Sequence, residues 1–229
     1  MGTLFVVATP IGNLEDITIR AINTLLSVDF IACEDTRRTG QLLKILREKY
    51  GHEKSTVPKL IPFYDEIEEA AAFDIISLLK KNFTVAMVSD SGTPLIADPG
   101  FKLVSLAIKA GVEINSLPGA SAAVTALTLS GLPPVPFLFL GFSPPSFSKK
   151  RKWFASFKEK SMQKTIIFYE SPHRLGKTLE VLEELFSEIE IVVCREMTKI
   201  HQEVWRGKPK EAGQYFKNPK GEFVILFRI

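Results

Sequence analysis

One short segment concentrates the residue types that bind small polar ligands. Residues 89–100 read Ser-Asp-Ser-Gly-Thr-Pro-Leu-Ile-Ala-Asp-Pro-Gly. Glycine lets the backbone approach a ligand closely, and Asp90 adds a carboxylate beside hydroxyl groups. Asp98 and Pro99 fit the N-cap and the first turn of a following helix. The segment is too elaborate for a simple connection, and we interpret it as a ligand-binding loop.

Two further segments have a related character. Residues 8–13 contain a Pro-Gly turn, and Asn13 fits the N-cap of a following helix. Taken alone, this segment is better explained as a plain strand-to-helix turn. Residues 117–123 combine small side chains with the Ser121 hydroxyl. Like 89–100, both segments follow apolar, strand-like runs. Ligands of α/β proteins bind at the carboxyl ends of strands, so one shared crevice is predicted.

Charged residues also follow two other apolar runs. Glu34-Asp35-Thr36-Arg37-Arg38 follows a run that ends at Cys33, and Arg195-Glu196 follows a run that ends at Cys194. A carboxylate beside a phosphate-binding arginine could act as a base. Helix capping by Asp35 or Thr36 with surface ion pairs explains the first group equally well, so both interpretations stay open.

The densest basic run is residues 149–152, Lys-Lys-Arg-Lys, with Trp153 directly after it. Such a run is usually a solvated surface. The same cations could instead bind a nucleic-acid backbone while the indole stacks on a base. The net charge of +3 over 229 residues permits a polyanionic partner without requiring one.

Several common motifs are missing. The sequence has no G-x-G-x-x-G, and Ser171 stands where a Walker A motif around Lys177 needs glycine. Two cysteines cannot form a disulfide framework or a Cys-only zinc site, so no metal site is predicted. No apolar run approaches the ~20 residues of a membrane span, and a cytoplasmic location is expected. The histidines His52 and His201 are expected at the surface.

Short apolar runs alternate with segments of helical spacing, which predicts an α/β fold with a largely parallel sheet. The predicted strands are residues 3–8, 28–33, 84–89, 112–117, 136–142, 165–170, 189–194 and 222–228. A composition of 45% hydrophobic and 24% charged residues excludes intrinsic disorder. Prolines 133, 134 and 136 interrupt the pattern. They predict two α/β domains, 1–133 and 134–229.

In this order and spacing, nine segments of the chain resemble the ribosomal RNA small-subunit methyltransferase I family of the tetrapyrrole methylase superfamily. The segments are residues 9–14, 16–21, 34–37, 89–100, 118–122, 130–133, 168–174, 195–199 and 220–223. They extend over nearly the whole chain, and residues 89–100 are the most specific.

The resemblance implies a two-domain, class III methyltransferase fold with S-adenosylmethionine in a cleft between the domains. It implies a homodimer that methylates the ribose 2′-hydroxyl of one cytidine in 16S rRNA, near the decoding centre of the small ribosomal subunit. The implied cofactor-binding residues, with Asp90 added from the chemistry of its loop, are Pro10, Asp90, Ser91, Gly92, Thr93, Ile96, Ser121, Ala122, Glu170 and Met197.

That activity needs a catalytic group and contacts with RNA. A ribose hydroxyl is a poor nucleophile near neutral pH, so a base or a stabilising cation is expected. The candidates for the base or for orienting the substrate are Glu34, Asp35 and Glu196, with Arg37 and Lys199 as cationic partners. The candidates for contacts with RNA phosphates are Lys149, Lys150, Arg151, Lys152 and Arg174.

The sequence also departs from the family pattern. Residues 63–68 lack the usual His and Asn, Ala97 stands where Ser is common, and the chain ends soon after residue 226 without the extension of many members. If that extension holds RNA in other members, other contacts or a narrower interface are expected here. The alternative activity is methylation of a corrinoid or porphyrinoid. A third interpretation is a non-enzymatic binding module that uses the same crevice.

Overall fold

The computed structural model describes residues 1–50, 57–157 and 163–229. They form two compact units, Met1–Ser121 and Ala122–Ile229. The division lies before the prolines at which the sequence predicts a boundary. No helix in the described ranges is long and apolar enough to cross a bilayer. His52 lies outside the described residues.

The first unit contains a five-stranded parallel sheet with the order β3-β2-β4-β1-β5. Its strands are β1 (Thr3–Val7), β2 (Phe30–Cys33), β3 (Lys59–Pro62), β4 (Val85–Met87) and β5 (Glu113–Leu117). The parallel arrangement confirms the sequence prediction for this unit. The short edge strand β3 was not predicted.

Helices cover both faces of this sheet, which explains why its strands are continuous apolar runs. The helices are α1 (Ile19–Leu25), α2 (Thr36–Tyr50), α3 (Glu68–Lys80) and α4 (Phe101–Lys109). Val85 and Met87 pack with α3 and α4, whereas Ala86 and Val88 pack with α1 and α2. Successive strand residues point to opposite faces, so one strand serves two apolar cores.

Of the predicted N-caps at Asn13 and Asp98, one is confirmed and one is wrong. Asn13 accepts a hydrogen bond from the Glu15 N–H at 3.0 Å and caps a short 3₁₀ turn, as predicted. The predicted N-cap of α4 at Asp98 is wrong, because the helix begins after Gly100, whose φ is +132°. Glu68 Oε1 instead accepts the N–H groups of Gly100 at 2.9 Å and Lys102 at 3.0 Å. A side chain from α3 therefore caps α4.

The second unit has a mixed sheet with the order β6-β7-β10-β8-β9. Its strands are β6 (Phe137–Phe142), β7 (Thr165–Glu170), β8 (Ile191–Arg195), β9 (Glu203–Gly207) and β10 (Phe223–Arg228). Only β6 and β7 are parallel neighbours. The prediction of a largely parallel sheet is therefore wrong here, because β10 returns between β7 and β8. The edge strand β9 was also missed.

Four helices complete the second unit: α5 (Ala122–Ser130), α6 (Phe147–Ala155), α7 (Pro172–Leu185) and α8 (Pro209–Tyr215). Helix α5 packs on β7, β8 and β10, so it belongs to this unit. Residues of α6, α7 and α8 share one apolar core with the sheet. Phe154, Phe168 and Phe227 are fully buried in it, as expected for a phenylalanine-rich chain.

Candidate functional site

Hydrogen bonds join three loops at the carboxyl end of the first sheet. They are the β1 loop (residues 8–13), the β4 loop (residues 89–100) and the β5 loop (residues 118–121). Thr9 and Gly92 form an antiparallel bridge, with N···O distances of 2.8 and 3.1 Å. The Thr93 hydroxyl donates to the Ala120 carbonyl at 2.9 Å. The structure thus brings together the three segments that the sequence assigned to one crevice.

Two glycines make this close approach feasible. Gly92 has a φ of +90°, and a Cβ there would lie 3.2 Å from Ile11 Cγ2. At Gly119, a Cβ would lie 2.7 Å from the Ala8 Cβ. There is thus no room for a side chain at Gly119, and at Gly92 the positive φ and the tight contact with Ile11 both disfavour one.

A cavity of about 220 Å³ opens beside the β1 and β4 loops. It is lined by Thr9, Pro10, Gly12, Leu14, Arg38, Thr39, Leu42, Ser89 and Asp90. This volume is below the roughly 300–1,000 Å³ of a site for a whole ligand, so the cavity suits part of one. Pro10 and Asp90 were predicted from the sequence, whereas Arg38 was not among the predicted binding residues.

The other predicted cofactor residues of this region lie on the same loops. Ser91, Gly92, Thr93 and Ile96 lie in the β4 loop, and Ser121 ends the first unit. Ile96 is an exposed apolar side chain, available to an apolar part of a ligand. Ala122 begins α5 and belongs to the second unit.

A charged network lies around Asp90, next to the cavity. Asp90 Oδ1 accepts the Asp35 N–H at 3.2 Å, and Arg38 Nη1 lies 3.2 Å from Asp90 Oδ2. The Asp90 N–H donates to Glu34 Oε1, also at 3.2 Å. The charged residues after β2 are thereby tied to the β4 loop, which only the tertiary fold could show.

Asp35 serves mainly as the cap of α2. Its Oδ1 accepts the N–H groups of Arg37 at 2.8 Å and Arg38 at 3.4 Å. The hydrogen bond from the Arg37 backbone lowers the pKa of Asp35, which makes it a weak base. The Arg37 side chain is 91% exposed and lies 3.5 Å from Asp35. Of the two interpretations that the sequence left open, capping is confirmed for Asp35, and a base among these residues stays a prediction.

The pKa values of Glu34 and Asp98 are raised, in contrast to that of Asp35. Burial raises the pKa of Glu34. Burial, followed by repulsion from Glu34, raises the pKa of Asp98 to about 7, against a hydrogen bond from Ser89. A carboxyl group in this range takes up a proton readily at neutral pH. Asp98 was not among the residues predicted for the site, because the sequence suggested a helix cap there. Ala97 and Gly100 on either side both have positive φ, which is typical of an irregular functional loop.

In the second unit, the candidates near the end of β8 form a compact turn. Glu196 and Thr198 have φ values of +49° and +64° and flank the buried Met197. Glu196 Oε1 accepts hydrogen bonds from Lys199 Nζ and from the Glu222 N–H, both at 2.9 Å. Burial acts to raise the pKa of Glu196, but these bonds outweigh it and lower the pKa. Glu196 and Lys199 are therefore partners of each other, and Glu196 is a weak base.

Glu170 and Lys150 form a buried ion pair. Their side chains are fully buried, with Nζ 2.6 Å from Oε2, and the hydroxyls of Ser143 and Thr178 also donate to Glu170. The Ser171 N–H donates to Oε1 at 2.8 Å. The prediction that Lys150 contacts RNA is wrong, because its ammonium is inside the protein. The Glu170 carboxylate is likewise committed to this network, and the predicted contact of Glu170 with a cofactor stays a prediction.

The rest of the basic run is exposed on α6. Lys149, Arg151 and Lys152 face solvent, and Arg151 Nε lies 2.6 Å from Glu184 Oε1. Trp153 packs edge-on against Phe154, Phe157 and Phe168. The indole thus serves the core of the second unit, and the predicted stacking of Trp153 on a base has no support in this packing.

Comparison with known proteins defines the class of this fold and site. The model of the Tetrapyrrole (Corrin/Porphyrin) Methylases family matches residues 3–213. The crystal structure of uroporphyrin-III C-methyltransferase from Thermus thermophilus, complexed with S-adenyl homocysteine, superposes with a TM-score of 0.65. It covers 99% of this chain and 97% of that one at 14% identity, which shows the fold alone. The chain has the fold and the joined loops of a tetrapyrrole methylase.

Curated relatives narrow this class. A "Ribosomal RNA small subunit methyltransferase I" from Hydrogenobaculum sp. is 46% identical over 97% of this chain and 94% of that protein. A protein of the same name from Thermotoga maritima is 43% identical over 99% of this chain and 98% of its own. The chain belongs to the ribosomal RNA small subunit methyltransferase I family.

Proposed function

We propose that this protein transfers a methyl group from S-adenosylmethionine to the ribose 2′-hydroxyl of a cytidine in the 16S rRNA of the small ribosomal subunit. The observation that carries the proposal is the 46% identity with a ribosomal RNA small subunit methyltransferase I over nearly the full length of both chains. Tetrapyrrole methylation is disfavoured, because solved uroporphyrin-III C-methyltransferases are only 14–19% identical to this chain. A homodimer in the cytoplasm, where ribosomal RNA is found, is part of the proposal.

The residues of the first unit fit this cofactor. S-adenosylmethionine supplies an activated sulfonium methyl group when bound, and it carries positive charge and hydroxyl groups. The cavity is lined by Asp90, whose carboxylate complements positive charge and hydroxyl donors, and by Thr9 and Ser89. The hydroxyls of Thr9 and Ser89 donate to the Ser89 and Gly92 carbonyls, so they hold the shape of the loops. We assign cofactor binding to these residues, with Pro10 and Thr93 from the same loops.

The ribose hydroxyl must lose its proton as its oxygen takes the methyl group. Among the candidates, Asp35 and Glu196 have lowered pKa values and are occupied by hydrogen bonds. Glu34 and Asp98 have raised pKa values. Asp98 is the first proposed proton acceptor, since a base works best with a pKa near the working pH. Glu34, whose pKa burial raises, is the second. The exposed cations Lys149, Arg151 and Lys152, together with Arg174, are the proposed phosphate contacts.

The direct test is methyl transfer from labelled S-adenosylmethionine to small ribosomal subunits that lack the modification. Nuclease digestion and mass spectrometry should then show 2′-O-methylcytidine. Calorimetry with S-adenosylhomocysteine tests cofactor binding separately. Intact cofactor binding without methylation of the subunits would overturn the substrate assignment, and optical titration with a porphyrinoid would then test the alternative.

Variants of the proposed proton acceptors test the mechanism. Glu34→Gln and Asp98→Asn should each be compared with Asp74→Asn, which changes an exposed carboxyl on α3. Loss of a general base lowers kcat about 10²- to 10⁴-fold. We expect a loss of this size for at least one of the two variants, with cofactor affinity retained. If both kept the kcat of the Asp74→Asn control, neither group would be the base.

A further inference from the structure

An exposed aromatic ring and an immobilised guanidinium lie together at one corner of the second unit. Phe142 ends β6, and its side chain is 53% exposed. The Arg174 guanidinium carbon lies 5.8 Å from the centre of that ring. Tyr169 supports the ring edge-on, with centroids 5.4 Å apart. The parallel strands β6 and β7 end side by side here, and α7 begins just after β7.

Arg174 is held in place by several contacts. Its Nε lies 2.9 Å from Ser171 Oγ and 3.1 Å from Glu170 Oε1, and Nη1 lies 3.4 Å from the Ser143 carbonyl. A guanidinium has five N–H donors, and these contacts use only those on Nε and Nη1. The side chain is 27% exposed. The group is therefore fixed in orientation while part of it still faces solvent.

The buried ion pair beneath Arg174 leaves the corner positively charged. Lys150 already neutralises Glu170 at 2.6 Å, so the charge of Arg174 is not cancelled. Arg174 and Lys177 both lower the pKa of Lys150, after the larger effect of burial, so both cations lie within electrostatic range of it. Such a local excess of positive charge favours an anionic partner.

Together these features match the chemistry of a single unpaired nucleotide. Proteins bind single-stranded nucleic acid by stacking its bases on aromatic side chains and by pairing its phosphates with cations. We propose that Phe142 and Arg174 form a platform that binds one unpaired nucleotide of the RNA substrate, with the base on the phenyl ring and the phosphate on the guanidinium. This inference rests on the proposed function and extends it to Phe142, which belongs to none of the motifs identified in the sequence.

The test measures RNA affinity separately from methyl transfer. The probe is a short fluorescein-labelled single-stranded RNA that contains cytidine, titrated by anisotropy at several salt concentrations. Phe142→Ala should weaken binding about 5- to 150-fold, the range for loss of one stacked base. Phe142→Trp should retain binding. Phe137→Ala is the matched control, because Phe137 is 46% exposed at the other end of β6 and lies outside the platform.

Arg174 is tested by Arg174→Met. Removing a phosphate contact should reduce the salt dependence of binding by about one unit of slope. For every variant, calorimetry with S-adenosylhomocysteine and thermal melting monitor cofactor affinity and folding. The platform predicts that Phe142→Ala raises KM for small ribosomal subunits while the affinity for S-adenosylhomocysteine stays unchanged.

The outcomes separate this inference from the proposed function. If the wild-type protein methylates small subunits and Phe142→Ala binds RNA as well as Phe137→Ala does, the platform is wrong and the function stands. If the wild type binds RNA through Phe142 without methylating it, the platform stands and the substrate assignment falls. Should Phe142→Ala unfold, weaker RNA binding by the folded Phe142→Leu and Arg174→Met variants than by Phe137→Ala would support the platform. RNA binding by both variants equal to that of Phe137→Ala would overturn it.

Discussion

The Lys150 ammonium lies 2.6 Å from the Glu170 carboxylate, and both side chains are fully buried in the second unit. Removing one member of such a pair leaves an uncompensated charge in the interior, which costs about 3–5 kcal/mol. Lys150→Met should therefore lower the free energy of unfolding by this amount in urea denaturation. Lys149→Met, at the exposed neighbouring position, should change it by less than about 0.5 kcal/mol. Equal effects of the two substitutions would contradict the buried pair.

The cap of α4 by Glu68 gives a second prediction. Glu68 is buried and accepts the N–H groups of Gly100 and Lys102. Glu68→Ala leaves these donors without their acceptor and should lower the free energy of unfolding by about 1–3 kcal/mol. Because Gly100 ends the β4 loop, the affinity for S-adenosylhomocysteine should fall as well.

The control for Glu68→Ala is the same substitution at the next residue. Glu69 is paired with Lys102 Nζ at 3.3 Å on the surface. Exposed pairs of this kind contribute about 0–1 kcal/mol, so Glu69→Ala should have little effect on unfolding and none on cofactor binding. Calorimetry that shows the same loss of affinity in both variants would refute a specific role of Glu68.

The contact between the β1 and β5 loops gives a third prediction. A Cβ at Gly119 would lie 2.7 Å from the Ala8 Cβ, so Gly119→Ala must push two cofactor loops apart. We expect a loss of about 1–3 kcal/mol in the free energy of unfolding, together with weaker binding of S-adenosylhomocysteine. Gly176→Ala, on α7, has no atom within 4 Å of the added methyl and should stabilise the protein by about 0.5–1 kcal/mol. Opposite signs in the two urea titrations are the diagnostic result.

The pKa of Asp98, raised from 3.8 to about 7 by burial and by Glu34, gives a fourth prediction. Between these pH values the folded chain binds more protons at Asp98 than the unfolded chain does. Its stabilising contribution is therefore complete below about pH 4 and is lost as the pH rises through about 7. Asp98→Asn should flatten the fall in the free energy of unfolding across this window, as followed by urea denaturation at several pH values. A fall as steep as that of Asp74→Asn would contradict the raised pKa.

The parts of the fold that the sequence could predict are those with a strong local pattern. Strands covered on both faces appear as continuous apolar runs, and this is why β1, β4 and β7 were found. The edge strands β3 and β9 are half-exposed and begin with Lys59 and Glu203, so their patterns resemble loops. The antiparallel direction of β10 depends on pairing with β7 and β8, which are distant in the sequence, and a local pattern carries no information about such pairing.

The site shows the same division. The meeting of the β1, β4 and β5 loops was predicted because their glycines and hydroxyl residues follow apolar strands. The burial of Lys150 was missed because a run of four basic residues suggested one solvated surface. Lys150 lies four residues before the buried Phe154 on α6, so both residues are on the same helix face. This spacing could have predicted the burial of Lys150. The cap of α4 could not be predicted, since Glu68 and Gly100 are 32 residues apart.

The bridge between Thr9 and Gly92 couples the two loops that it joins. Each residue donates its amide proton to the other, so neither amide can exchange with solvent while the pair is closed. The two amides should therefore share one opening event, and a ligand that contacts either loop should slow exchange at both. The bridge thus predicts that the β1 and β4 loops open together rather than one at a time.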